Sequence, residues 1–167
     1  MELLKQILEP LRDRCESYLS DDLGLASSAS QMSDKAFDDV EIKSTSIIAL
    51  AGSFDMFVAI GYSQSLFDAI VDIFLDGDEV ADEEIDEIKE SISSEIINIV
   101  VGNAIKNPLD NSVINITPPL FVDDMGMLFR DKHSKIATIS IDSDMGSMYV
   151  AIVKPSRENS FFKESRC

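Results

Sequence analysis

The spacing of hydrophobic residues changes several times in the first 62 residues of the chain. Residues 2–20 carry apolar side chains at near-helical intervals and predict a first helix, in which Pro10 marks a kink or the start of a second segment. Residues 21–38 are rich in Ser, Asp and Ala and predict a loop. Between residues 40 and 62 the apolar positions alternate around Gly52-Ser53, which predicts two strands joined by a tight turn.

Two helices of different length are predicted next. A possible capping box at Ser65-x-x-Asp68 starts a short amphipathic helix that stops at Gly77. A long helix follows over residues 82–106 and ends at Asn107-Pro108, because the residue before a proline disfavours helical geometry. The acidic residues at its start suit the positive end of a helix dipole, and such a run usually indicates a solvated face.

The long helix has one apolar face in a helical projection. Five of its isoleucines fall within about 80° of one another and are predicted to form the buried face: Ile85, Ile88, Ile92, Ile96 and Ile99. Farther along, the pattern predicts strands before Pro118-Pro119 and a hairpin that turns at Ser143–Gly146. We therefore predict an α+β fold, an antiparallel sheet with long helices packed on it, with one domain over residues 1–154 and a mobile C-terminal tail over residues 155–167.

Composition narrows the class of partner. The 31 acidic and 14 basic residues give a net charge of −17, which disfavours nucleic acid and anionic membranes and favours a protein partner. The first residues lack a basic segment followed by a long apolar stretch, and no window resembles a membrane span, so we expect a cytoplasmic protein.

Reactive and metal-binding side chains are sparse. Cys15 and Cys167 lie at opposite ends of the chain, and Cys15 is predicted to be a core thiol. The single histidine, His133, is predicted to lie on the surface of a loop. Asp123-Asp124 lacks metal-ligand spacing, so we predict no bound metal or cofactor.

A second stripe runs along the long helix. Ser91, Glu95, Asn98 and Gly102 are spaced by four, three and four residues, and the stripe they form is centred about 100° from the isoleucine face, at its partly exposed edge. Ser, Asn and Gly are poor choices for a helix interior, so propensity does not explain the stripe. Either Gly102 allows a strand to pack closely and the others are surface residues, or the stripe has a function.

The stripe and its continuation resemble a known family. Ser91-x3-Glu95-x2-Asn98 is similar to the signature of the CheC/CheX/FliY chemotaxis phosphatases, and Asn98-Ile99-Val100-Val101-Gly102-Asn103-Ala104 is similar to the run that follows their catalytic Asn. The family proline usually follows this Asn by slightly more residues than Pro118 or Pro119 does here. Glu9-Pro10-Leu11-Arg12 replaces the second motif of two-site members, so the resemblance implies one site, as in CheX.

The resemblance implies a phosphatase that hydrolyses the aspartyl phosphate of a phosphorylated CheY-like receiver domain. Asn98 would position the water, Glu95 would bind the lysine of the regulator's active site, and Ser91 and Gly102 would have supporting roles. The Mg²⁺ would belong to the regulator. Family relatives also imply a homodimer formed through sheet edges. A non-catalytic module that binds regulators or flagellar switch proteins is the alternative, and a structural dimer module is a third possibility.

Overall fold

The structure is a computed structural model that describes residues 2–52, 55–105 and 114–156. Helix α1 spans Glu2–Ser17 and continues into one π-helical turn, Tyr18–Asp22. The other helices are α2 (Gln64–Leu75), α3 (Ile85–Ala104) and a 3-10 helix (Met125–Phe129). The strands are β1 (Ser27–Ala29), β2 (Lys43–Gly52), β3 (Met56–Tyr62), β4 (Ile114–Ile116), β5 (Leu120–Val122), β6 (Lys135–Ser143) and β7 (Gly146–Lys154).

All described strands form one antiparallel sheet. Its order is β1-β6-β7-β3-β2, and β2 pairs along its outer edge with both β4 and β5. The two hairpins that were predicted from alternation, β2-β3 and β6-β7, are both present and lie side by side through the β3-β7 pairing. The predicted α+β class with an antiparallel sheet and packed helices is confirmed.

The three α-helices cover one face of this sheet and bury the main core. Pro10 lies inside α1, whose buried residues are Leu4, Ile7, Leu8, Leu11 and Cys15. A smaller core on the opposite face is formed by Ile47, Ala59, Met125, Tyr149 and Ala151, with Phe37 packed against Tyr149 at 5.1 Å between ring centroids. Each face of the sheet thus carries a buried core.

Three local expectations were wrong. Residues 27–29, predicted as loop, form edge strand β1, because their backbone pairs with β6 although they lack apolar alternation. The cap of α2 is Ser63 and not Ser65, since the Ser63 hydroxyl accepts from the Leu66 amide at 3.4 Å. Strand β5 was missed because it has only three residues after a proline pair. Pairing with neighbouring strands, and not local sequence preference, determines that β1 and β5 are strands.

Some predictions fall partly outside the described residues. They include Ser53 of the predicted turn, Phe54 after it, the predicted helix end at Asn107-Pro108, and residues 157–167 of the predicted tail. Of the tail, Ser156 is described, and its hydroxyl donates to Asp131 at 3.1 Å.

Candidate functional site

The candidate site is built on α3, a helix of 20 residues. Asp86 and Glu87 lie in its first turn, where negative charge is favourable beside unpaired backbone amides. The helix begins at Ile85, three residues later than predicted, and the last helical residue is Ala104. It packs over β2 and beside α1, so its orientation determines which side chains a partner can reach.

The buried face of α3 differs from the predicted isoleucine face. The buried residues are Ile92, Ser93, Ile96, Ile97, Val100 and Val101, whereas Ile85, Ile88 and Ile99 are only half-buried. The centre of the buried face is therefore displaced by about 90° from the predicted one, at 100° per residue. The prediction failed because it counted five isoleucines and omitted Ile97, the two valines and Ser93.

The polar stripe consequently lies about 180° from the centre of the buried face, and not at its edge. Ser91, Glu95 and Asn98 are exposed, and Gly102 is half-buried. The predicted accessibility of Glu95 and Asn98 is confirmed, whereas their catalytic roles stay a prediction. A Cβ added to Gly102 would meet no described atom within 4 Å, so close packing of a strand does not explain this glycine.

Glu95 lies near the end of α1. Burial, together with the nearby carboxylates of Glu95 and Asp22, raises the pKa of Tyr18 to about 12, against the opposing effect of Arg14. The Arg14 guanidinium lies 5.6 Å from the centroid of the Tyr18 ring and forms an ion pair with Asp22 at 2.9 Å. Among the described residues Glu95 has no ion-pair partner, so its charge is available to a cation from another molecule.

A buried hydroxyl fastens the opposite side of α3 to the sheet. The Ser93 hydroxyl donates to the Ser44 carbonyl at 2.8 Å, and its oxygen lies 2.6 Å from the Ser46 hydroxyl oxygen. Ser46 and Ser93 are both fully buried. Sequence reasoning missed Ser93, because it lies about 100° from the centre of the predicted isoleucine face and is followed by a second serine, Ser94.

The other polar residues of the sequence have structural surroundings. His133 is exposed in the loop before β6, where its backbone amide donates to Asp131. This hydrogen bond and others from Ser134 and Ser156 lower the pKa of Asp131. Asp124 caps the 3-10 helix by accepting from the Gly126 amide at 2.8 Å. Cys15 is buried as predicted, and burial raises the pKa of its thiol to about 12.

In the described part of the chain, no group of three or more His, Cys, Asp or Glu side chains is arranged to hold a metal ion. None of the described helices is both long and apolar enough to cross a membrane.

Comparison with known proteins identifies relatives of the sequence and of the fold. The model of a family described as chemotaxis phosphatase CheX matches residues 44–142, more than half of the chain. No curated protein matches the sequence.

Solved structures extend this similarity to nearly the whole fold. The CheX-CheY-BeF3-Mg²⁺ complex from Borrelia burgdorferi contains a chain with 23% identity and a TM-score of 0.71, covering 88% of this chain and 96% of that chain. A CheC-like superfamily protein from Shewanella sp. PV-4 has 18% identity and a TM-score of 0.71, with 89% and 96% covered. The middle domain of FliM from H. pylori has 12% identity and a TM-score of 0.57, with 92% of each chain covered. Identities this low establish the fold alone.

Proposed function

Because this chain belongs to the CheX family of chemotaxis phosphatases, we propose that it hydrolyses the aspartyl phosphate of a phosphorylated CheY-like response regulator. The observation that carries the proposal is the joint exposure of Glu95 and Asn98 on one face of α3, turned away from the core. The CheX-CheY complex from Borrelia burgdorferi supports a partner of this type. With that partner, the reaction would take place in the cytoplasm.

Asn98 would position the attacking water. A receiver domain already holds its phosphoryl group with Mg²⁺ and a lysine, so the phosphatase has to supply orientation more than new chemistry. The carboxamide oxygen of Asn98 can accept a hydrogen bond from the water while its NH₂ group donates one. A carboxamide does this without bringing negative charge close to the phosphoryl oxygens. Asn98 therefore suits this role better than an acidic residue would.

Glu95 would bind the active-site lysine of the regulator. It is one turn away from Asn98 on the same stripe, and Arg14, the cation near this end of α1, is already paired with Asp22. The net charge of −17 would help to attract the lysine and would disfavour acidic surfaces. Docking through Glu95 would place the Asn98 carboxamide against the phosphorylated aspartate.

Ser91 and Gly102 would extend the contact along α3. Ser91 is exposed and can donate or accept one hydrogen bond to the partner. The open space at Gly102 would let the partner's backbone approach the helix closely. The corresponding segment of α1 has Glu9 and Arg12, and no Asn, so one site per chain is proposed. We assign neither the Mg²⁺ of the receiver domain nor any other cofactor to this chain.

We also propose a homodimer formed at a sheet edge. Ile116 of β4 and Leu120 of β5 are 44% and 62% exposed, and both strands pair only through one edge with β2 among the described strands. Apolar side chains beside unpaired strand edges favour association with a second copy. Light scattering at high micromolar concentration would test this, and a monomeric mass would contradict the dimer without contradicting the activity.

A non-catalytic binding module is the second candidate. The similarity to the middle domain of FliM supports it, because that likeness shows the same fold in a protein that is not described as a phosphatase. Incubation with a phosphorylated receiver domain, followed over time, separates the two. Accelerated loss of the phosphoryl group supports the phosphatase, whereas binding without acceleration supports the module.

A further inference from the structure

Strand β2 begins with an irregularity that faces α3. The pairing register between β2 and β3 shifts between Lys43 and Ser46, and Ser44 has a φ of 52°. The Ser44 carbonyl accepts the hydrogen bond from Ser93, which also shares a hydrogen bond with Ser46. The irregular start of β2 and a buried position of α3 are thus joined by hydrogen bonds.

This contact is unusual on both sides. A serine inside a helix generally bonds back to its own helix or points to solvent, but the Ser93 hydroxyl bonds to residues 47 and 49 positions away in the chain. A residue with a side chain rarely adopts positive φ, and such positions persist only where the surroundings hold them. The strand geometry and the helix position therefore depend on one another.

The contact lies on the far side of α3 from the proposed site. Ser93 is about 170° around the helix from the centre of the stripe that contains Glu95 and Asn98. Side-chain ends lie about 5–6 Å from a helix axis, so a helix rotation of about 10° displaces them by about 1 Å. A misplacement of about 1 Å can reduce an enzymatic rate by about 10²-fold.

We infer that Ser93, held by Ser44 and Ser46, is a positioning residue that sets the rotation of α3 and so the places of Glu95 and Asn98. The inference rests on the proposed phosphatase function, in which both side chains act from this helix. The hydrophobic effect is non-directional and does not by itself select one rotation of the helix, whereas hydrogen bonds have preferred distances and angles, so two of them to the strand favour one rotation.

The test compares four variants at a temperature well below their melting points. Ser93→Ala removes both hydrogen bonds, and Ser46→Ala removes one of them. Ser94→Ala removes a hydroxyl from the neighbouring residue, which lies outside this contact. Ile139→Val weakens the core under α1 and serves as a control for a lowered Tm without a change at β2 and α3.

We expect Ser93→Ala to lower the kcat for dephosphorylation of a receiver domain by about 10-fold or more, with a smaller fall for Ser46→Ala. Affinity for the beryllofluoride-loaded receiver should change less than kcat, because a docking carboxylate tolerates displacement better than a water-positioning amide. Ser94→Ala and Ile139→Val should retain kcat. A kcat for Ser93→Ala equal to that of Ser94→Ala would overturn the inference, and if Ser93→Ala does not fold, an unchanged kcat in Ser46→Ala would do so.

Amide hydrogen exchange gives a readout that is independent of activity. Ser93→Ala should increase exchange in α3 and at the start of β2 while the β6-β7 hairpin stays as protected as in Ser94→Ala. If the unmutated protein does not dephosphorylate the receiver, it is the proposed function that fails, and the exchange pattern still decides whether Ser93 holds α3 in position. Uniform exchange changes across α3 and β6-β7 would show ordinary destabilisation and would overturn it.

Discussion

Replacement of Asn98 by alanine separates stability from activity, because the two should change in opposite directions. Asn98 is exposed on the side of α3 away from the core, so its removal costs no buried contact. Alanine has a higher helix propensity than asparagine, which should add about 0.5 kcal/mol to the free energy of unfolding. For a chain of this size that corresponds to a Tm rise of about 1–2 °C.

The rate should fall although the protein becomes slightly more stable. Loss of a group that positions the attacking water should cost on the order of 10²-fold in kcat, equivalent to about 2.7 kcal/mol in the activation free energy. Affinity for the phosphorylated regulator should persist, because Glu95 is unchanged. The change in kcat without a matching change in affinity identifies an interaction made in the transition state.

The assay follows loss of the phosphoryl group from a receiver domain as a function of receiver concentration, with circular dichroism and thermal melting on the same samples. Asn103→Ala is a matched control, since Asn103 is also exposed on α3 but lies about 140° around the helix from Asn98. It removes the same carboxamide and should keep kcat. Turnover by Asn98→Ala within about twofold of the unmutated protein, with the fold intact, would refute the mechanism and favour the binding module.

Other substitutions test the docking residue and the core. Glu95→Ala should mainly weaken binding of the phosphorylated receiver in a salt-dependent manner, and Glu95→Lys should weaken it further through repulsion. Affinities of both variants equal to that of the unmutated protein at low salt would contradict this. Tyr62→Phe should raise the free energy of unfolding by about 1 kcal/mol, because the buried Tyr62 hydroxyl has no hydrogen-bond partner among the described residues; denaturant unfolding measures the change. Gly146→Ala should cost about 1–3 kcal/mol in the same experiment, since Gly146 has a φ of 133° and an added Cβ would lie 2.6 Å from the Ser65 hydroxyl. Burial raises the pKa of the Cys15 thiol from 9.0 to about 12, so the folded state retains the thiol proton. The resulting contribution to stability is present below about pH 9 and is lost as pH rises toward 12. The Tm of Cys15→Ala should therefore depend less on pH over that range than the Tm of the unmutated protein.

Strand alternation predicted the centre of the sheet well because both of its hairpins are local in the chain. The pattern in β2, β3, β6 and β7 follows from side chains that alternate between the two covered faces. The edge strand β1 was not predicted. Strand β1 pairs with a segment more than a hundred residues away, and nothing in Ser27–Ala29 itself distinguishes it from loop.

The rotation of α3 was predicted incorrectly from an incomplete helical projection. The five isoleucines chosen for it favour a face centred near Ile92, whereas Ile97 and the two valines lie toward the face that the structure buries. The structure instead buries Ser93, because the bulge of β2 offers it a carbonyl and a hydroxyl. That partner arises from strand geometry at Ser44, which α3 itself does not encode.

The corrected rotation strengthens the functional interpretation of the stripe. At the edge of a buried face, Gly102 had a packing explanation, but no described atom lies within 4 Å of the position of an added Cβ there, so that explanation does not hold. Relative to alanine, Ser91, Asn98 and Gly102 together cost roughly 2 kcal/mol in helix propensity, and neither the Ser91 nor the Asn98 side chain forms a hydrogen bond with a described residue to offset it. A helix face that bears such a cost, beside a Glu95 with no ion-pair partner among the described residues, supports the proposed contact with another molecule. Contact at this face is what the proposed dephosphorylation of a receiver domain requires.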